Sequence, residues 1–287
     1  MNEREWISHL RARAGMAAGG VEIGDDAAVL PGNLVVSTDA FVEEIHFRWI
    51  WASPRIVGAK MAQSALSDIA AMGGTPLWML ANFSSSDSSN APELLEGLLT
   101  AGVPLIGGDT TAAPPGATTV SLTVIGRASR PVLRSGARPG DVVYVSGPLG
   151  GSRAGLTALE KKLTLPDLIA RFLSPRARFD LSESWGAVAR SMIDISDGLA
   201  SELHHIARKS NVCIEIERSA IPIFPGIERA GLDPISTALE SGEEFELLAT
   251  SALPPPGGFP IGRVVAGSGV TIDGSPLPDS GFTHWAT

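Results

Sequence analysis

The sequence predicts an α/β protein of two domains, on three observations. Strand-like and helix-like segments alternate in both halves of the 287-residue chain, the pattern of layered α/β folds. The stretch from Ser129 to Gly140 holds Pro131, Gly136, Pro139 and Gly140, which mark a boundary between the halves. A composition of 44% hydrophobic residues with 32 glycines and 21 prolines fits compact, loop-rich domains with substantial cores.

In the N-terminal half, Leu34–Ser37 reads as a short strand ending at Thr38-Asp39. Pro54 opens a helix at its first turn. Ile56, Val57, Met61, Ala65, Ile69 and Met72 follow at helical spacing, and Gly73-Gly74 stops it. Leu77–Phe83 reads as a buried strand and Pro92–Thr100 as a short helix. Leu105-Ile106 is a strand end leading into Gly107-Gly108-Asp109, and the β-branched Thr118–Ile125 is a strand.

In the C-terminal half, Val142–Val145 is a strand, Gly147–Gly151 a turn and Ser152–Leu163 a helix. Pro166–Leu173 and Phe179–Arg190 are further helices. Met192–Ile195 is a strand running into Ser196-Asp197-Gly198, followed by the amphipathic helix Leu199–Lys209. Val212–Ile216, Phe245–Thr250 and Val264-Val265 complete the strands.

Charge narrows the function. Twenty-two basic and 31 acidic residues give a net charge of −9, which argues against nucleic-acid binding through a general basic surface. Phosphate ligands remain open, because metal ions bridge acidic side chains to phosphate. Cys213 is the single cysteine, so no internal disulfide forms, as expected of a reducing compartment. The segment Met1–Arg13 lacks the apolar core of a signal peptide. The longest uncharged stretch, Ile69–Ser86, contains Gly73-Gly74 and Pro76 and reads as helix end, turn and strand. A cytoplasmic protein with no membrane partner is expected.

Five segments place Asp beside Gly, Ser or Thr: Gly24-Asp25-Asp26, Ser37-Thr38-Asp39, Ser67-Asp68, Gly107-Gly108-Asp109 and Asp194-Ile195-Ser196-Asp197-Gly198. They hold seven of the chain's 14 aspartates. Each alone is explained by turn or cap chemistry. As a set they follow strand-like runs, where open α/β sheets bind ligands. Converging carboxylates repel one another unless cations intervene, so convergence points to a nucleotide site with several Mg²⁺ ions. Asp68 sits in the apolar Ala65–Ala70 stretch and needs either a metal or a buried partner such as Lys60 or an Arg.

Other features keep two readings. Gly107-Gly108 and Gly147–Gly151 are phosphate loops or plain turns, and Arg134 is a phosphate partner or a solvated loop residue. Trp49, Trp51, Phe282 and Trp285 stack on a flat heterocycle or fill a core. His46 binds substrate or plays a structural part. Gly242-Glu243-Glu244-Phe245-Glu246 is the charged start of a strand. No G-x-x-x-x-G-K-[ST] loop or protein-kinase signature is present, so a phosphate enzyme here uses an acidic, metal-based site.

Eight segments together resemble the thiamine-monophosphate kinase family, of the superfamily that includes aminoimidazole ribonucleotide synthetase and selenophosphate synthetase. They are Gly24–Leu30, Ser37–Phe47, Leu66–Pro76, Ile106–Thr111, Arg134–Gly147, Ile193–Leu199, Ser241–Leu248 and Gly281–Thr287, in the family's order. The resemblance implies the two-domain aminoimidazole-ribonucleotide-synthetase-like α/β (α+β) fold. Residues 1–135 would form the N-terminal metal- and ATP-binding domain, dimerising through its sheet, and residues 136–287 a C-terminal domain that closes the site. It implies ATP-dependent phosphorylation of thiamine monophosphate to thiamine diphosphate, by direct in-line transfer with several Mg²⁺ ions and no phospho-enzyme.

Carried over by motif, Asp26, Ser37, Thr38, Asp39, Asp68, Asp109, Asp194 and Asp197 organise metals, with Asp109 and Asp197 catalytic. Gly108, Asp109, Arg134 and Ser196 contact ATP; His46, Glu243 and Phe282 contact the thiamine phosphate. The expected partners are ATP, thiamine monophosphate and a second copy of the chain. Alternative readings are another ATP-using enzyme of the superfamily, such as an aminoimidazole ribonucleotide synthetase, and a non-catalytic nucleotide-binding paralogue. The chain departs from the family pattern at Glu244 (usually Asp), Ala65 (usually Asn), Glu44 (commonly Gly) and in a shortened 84–105 region.

Overall fold

The computed structural model describes residues 3–14 and 23–284. Trp285 and the end of the C-terminal motif lie outside them. An N-terminal helix α1 (Glu3–Ala14) precedes a five-stranded sheet of β1 (Ala28–Leu30), β2 (Leu34–Val42), β3 (Thr75–Ser85), β4 (Leu105–Ala112) and β5 (Thr118–Arg127). The strand order is β1-β2-β5-β3-β4, with only β3 and β4 parallel.

Two helices pack with this sheet, α2 (Pro54–Ala71) and α3 (Ala91–Leu99). Ser53 caps α2 by accepting from the Ile56 N–H at 3.5 Å, and Pro54 occupies its first turn. Its buried Val57, Met61, Leu66 and Ile69 form one core with Val35, Phe41, Leu122 and Val124 of the sheet. A Cβ on Gly58 or Gly97 would lie 2.1 Å from the Leu94 or Arg55 carbonyl oxygen. Glycine at both positions lets α2 and α3 approach this closely.

The second sheet comprises β6 (Val142–Val145), β7 (Ser191–Asp194), β8 (Cys213–Ile216), β9 (Leu247–Ser251), β10 (Phe259–Val265), β11 (Gly269–Ile272) and β12 (Ser275–Pro276). Its order is β12-β11-β8-β10-β6-β9-β7. The helices of this half are α4 (Gly151–Glu160), α5 (Pro166–Leu173), α6 (Phe179–Val188), α7 (Leu199–Ser210) and α8 (Pro234–Glu240). The C-terminal core joins Leu199, Leu203 and Ile206 of α7 to Val143, Ile214, Leu248 and Val264 of the sheet.

A third apolar cluster ties the halves together. Ala70 and Ala71, at the end of α2, pack with Tyr144, Trp185, Met192 and Leu247. The Ser182 hydroxyl donates to the carbonyls of Ala70 (3.0 Å) and Gly74 (2.9 Å). This contact sets α2 against β7 and fixes the site described below.

Several element limits differ from the expectation. β2 does not end at Thr38-Asp39; Ala40-Phe41-Val42 continue the in/out alternation, and Phe41 is buried. β4 likewise runs through Gly107-Gly108-Asp109 to Ala112. Glycines are tolerated there because β4 is an edge strand. Asp39 and Asp109 therefore lie inside strands, and only Asp194 ends one. Cys213 opens β8 half-buried rather than sitting in its interior. Helix α8 has a signal that the periodicity did not register. Asp233 accepts from the Ser236 N–H at 2.9 Å, and Pro234 follows it.

Candidate active site

Three carboxylates from three elements meet at the seam of the two halves. Asp26 comes from the loop before β1, Asp68 from the last turn of α2 and Asp194 from the end of β7. One oxygen from each lies within 4.8 Å of the others. The Ser67 hydroxyl donates to Asp194 Oδ2 at 2.6 Å, the Ser37 hydroxyl donates to Asp68, and an Arg134 amino group donates to Asp26 Oδ1 at 2.7 Å. Asp26 Oδ2 is buried without a hydrogen-bond partner among the described residues.

The electrostatics record the strain. Burial pushes Asp194 up to about 7, assisted by Asp26. Asp68 is driven well above the usual range by burial and by Asp39, Asp194 and Asp26. Burial raises Asp26 against the opposing pull of Arg134, and raises Asp39 to about 6. An all-oxygen donor set with an unpartnered buried oxygen fits a hard cation such as Mg²⁺, whose ligands sit at about 2.1 Å.

Linkage gives the sign of a test. These carboxyls hold protons more tightly folded than unfolded. Their contribution to stability is present below the unfolded value near 3.8 and is lost as pH rises through about 6 and 7. A cation bound at the cluster would take over the compensation as the protons leave. Mg²⁺ should therefore raise the melting temperature more at pH 8 than at pH 5.5. Calorimetry with and without EDTA checks this; an equal rise at both values counts against a cation at the cluster.

A cavity of about 1040 Å³ runs from this cluster along both halves. Asp39, Asp68, Asp194, Ser196 and Asp197 line it together with His46, Glu243 and Phe282. His46 Nδ1 accepts from the Val42 N–H at 2.9 Å, and its ring centroid lies 5.1 Å from that of His284. Burial holds His46 below the usual imidazole range. The Phe282 N–H donates to the Asp197 carbonyl at 3.0 Å, tying the C-terminal segment to the 196–198 turn.

Sheet geometry separates other expected residues. Thr38 lines the cavity beside Asp39, although strand alternation turns its side chain to the other face, where its hydroxyl lies 3.1 Å from that of Thr123. Asp39 pairs with Leu122, Leu122 with Ala81, and Ala81 with Gly108. Gly108 is thus three strands away, about 14 Å at normal strand spacing. Asp109 is in register with Asn82, Ser121 and Ala40, on the sheet face opposite to Asp39. One protomer does not bring Gly108 and Asp109 to the three-carboxylate cluster. Arg134 reaches the cluster by bonding to Asp26.

The 241–246 turn holds more than a charged strand start. Its three acids go to three places. Glu243 pairs with Lys60 at 3.0 Å. Glu244, fully buried, accepts from the Gly150 and Ser152 N–H groups (2.8 and 3.0 Å) and so caps α4. Glu246 meets Arg171 (3.2 Å) and Arg178 (2.5 Å). Asp68 pairs with Ser37 and not with Lys60. Glu44 takes a left-handed φ of 65°, the conformation glycine adopts freely. Trp49 packs against the N-terminal core, and Trp51 lines the cavity.

Comparison with known proteins matches the chain to the AIR synthase related protein family, with the N-terminal domain over residues 24–128 and the C-terminal domain over 138–252. It is 38% identical over 268 residues to the thiamine-monophosphate kinase of Methanopyrus kandleri, covering 88% of this chain and 85% of that one. It is 36% identical over 292 residues to the kinase of that name from Aquifex aeolicus, covering 92% of each. A solved structure described as AaThiL complexed with AMPPCP and TMP superposes with a TM-score of 0.91 at 32% identity, covering 99% of this chain and 97% of that one.

Proposed function

The chain belongs to the thiamine-monophosphate kinase family of AIR synthase related proteins, and on that premise we infer that it transfers the γ-phosphoryl group of ATP to thiamine monophosphate. The observation that carries this reading is one cavity that brings Asp68 and Asp194 of the buried carboxylate cluster together with His46, Glu243 and Phe282. Phosphoryl transfer needs alignment and charge neutralisation more than a strong base.

Asp26, Asp39, Asp68 and Asp194 would hold Mg²⁺, with Ser37, Thr38 and Asp197 beside them, while Asp109, on the opposite sheet face, would join a metal set only from a second copy across the dimer. When bound, these ions neutralise the phosphate oxygens in an in-line displacement. Arg134 and Ser196 orient ATP, with Gly108 and Asp109 contributed by the second copy of the dimer, and His46, Glu243 and Phe282 orient the acceptor. Asp109 and Asp197 act closest to the transferred group. We divide the chain at residues 135 and 136 and place the protein in the cytoplasm. Among the described residues no helix is long and apolar enough to cross a membrane.

The protein forms a homodimer through the N-terminal sheet face that carries Val36, Ile125, Trp78 and Leu80. Trp78 is 39% exposed there, as an uncovered apolar face requires. Light scattering should give twice the 29.8 kDa chain mass. Trp78→Glu should return a single chain; a wild-type monomer would refute the dimer. The function itself is tested by ADP release with Mg²⁺. Release should depend on thiamine monophosphate, with thiamine unable to replace it. Equal release with no acceptor would point to a plain ATPase.

A further inference from the structure

We propose that Lys60 is a specificity-determining positioning residue, fixing the Glu243 carboxylate as an acceptor for an N–H donor on the substrate's ring system. The proposal rests on the reading of the cavity as the thiamine monophosphate site.

Lys60 is nearly buried on α2, in the N-terminal half. Its ammonium lies 3.0 Å from Glu243 Oε2 and 3.4 Å from the centroid of the Phe172 ring. Both partners belong to the C-terminal half, so this side chain crosses the seam. Lys60 pairs with no other carboxylate among the described residues. A pocket of about 20 Å³ beside it is walled by Phe41, Phe47, Trp51 and Met61. An ammonium in such apolar surroundings holds tightly to its one counter-charge. Burial lowers the Lys60 pKa, and Glu243 opposes that shift.

Glu243 is held from both sides. Its backbone sits at φ 56°, a conformation costing a non-glycine residue about 1 kcal/mol. Its N–H donates to the Ser196 carbonyl at 2.7 Å. The C-terminal half thus fixes the main chain, and Lys60 fixes the carboxylate. Oε2 is taken, whereas Oε1 has no hydrogen-bond partner among the described residues, and the residue lines the large cavity.

An ion-paired carboxylate offers acceptors only. It suits the exocyclic amino group of an aminopyrimidine and repels a carbonyl oxygen in the same place. A site that loses a matched polar pair in this way discriminates by about 100-fold or more.

The test compares kcat/KM for thiamine monophosphate with that for its analogue carrying an oxo group in place of the pyrimidine amino group. The wild type should prefer the amino substrate by about 100-fold or more. Lys60→Met should raise KM for thiamine monophosphate about tenfold and cut the preference by at least that factor. KM for ATP and the melting temperature should change little, and Lys60→Arg should restore the preference. A Lys60→Met enzyme with wild-type KM and preference overturns the assignment, as does a Lys60→Arg enzyme no better than Lys60→Met. If Lys60→Met does not fold, Glu243→Gln decides, because its amide both donates and accepts. Loss of preference supports the assignment, and retention overturns it. Failure of the wild type to phosphorylate either compound refutes the functional reading instead.

Discussion

Asp194→Asn should lower turnover by about a thousandfold or more and raise the melting temperature of the metal-free protein. The two effects share one cause. Asp194 is buried beside Asp26 and Asp68, and its carboxyl is pushed up to about 7. Asparagine keeps the shape and can still accept from Ser67, which now bonds to Oδ2 at 2.6 Å. It removes a carboxyl that repels its neighbours once it ionises above about pH 7, so the apo fold relaxes there. It also removes an anionic oxygen from the donor set proposed for Mg²⁺, which would leave phosphate charge uncompensated during transfer. Turnover by ADP release, with calorimetry in EDTA, separates the effects. Wild-type turnover would take Asp194 out of the metal set, and a lower apo melting temperature would show that the cluster is not strained.

Arg171→Met should destabilise the fold by about 3–5 kcal/mol, a fall of about 10 °C in melting temperature for a chain of this size. The Arg171 guanidinium bonds to the Glu244 carboxylate at 3.0 Å, to its carbonyl at 2.8 Å and to Glu246 at 3.2 Å. Glu244 is fully buried, and burial already raises its pKa against the pull of Arg171. Removing the cation leaves Glu244 buried with only hydroxyl and N–H donors. Glu246 keeps Arg178 at 2.5 Å and the Ser146 hydroxyl at 2.6 Å, so Glu244 bears most of the loss. Urea unfolding measures it; a change below about 1 kcal/mol, the level of a surface pair, would contradict the network.

The sequence revealed local order well and long-range partnership poorly, for physical reasons. Helix α2 was legible because Pro54, the 3.6-residue spacing and Gly73-Gly74 are local signals. So was the requirement that Asp68 find a partner. Its partner is Ser37 on β2, 31 positions away, and its neighbour Asp194 arrives through the packing of Ala70 and Ala71 against Trp185 and Met192, residues that no short-range pattern connects. Lys60 was the local candidate for Asp68, yet it pairs with Glu243, 183 positions away.

Strand ends were read too short where Thr and Gly interrupt an apolar run, and that hid the face on which Asp109 lies. The three acids of the 241–246 turn looked like one solvated patch. Their density before an apolar strand was the available signal that each needed a cationic partner, Lys60 for Glu243, Arg171 for Glu244, and Arg171 with Arg178 for Glu246. The Glu244 departure from the family's usual Asp gains its meaning only in three dimensions, where its carboxylate caps α4.

The measurement that bears most directly on the central claim follows label from [γ-³²P]ATP in the presence of Mg²⁺ and thiamine monophosphate. The label should appear in thiamine diphosphate, at its terminal phosphate, with none on the protein and none transferred in EDTA. Label recovered only as inorganic phosphate, or held covalently on the protein, would contradict direct transfer within this cavity.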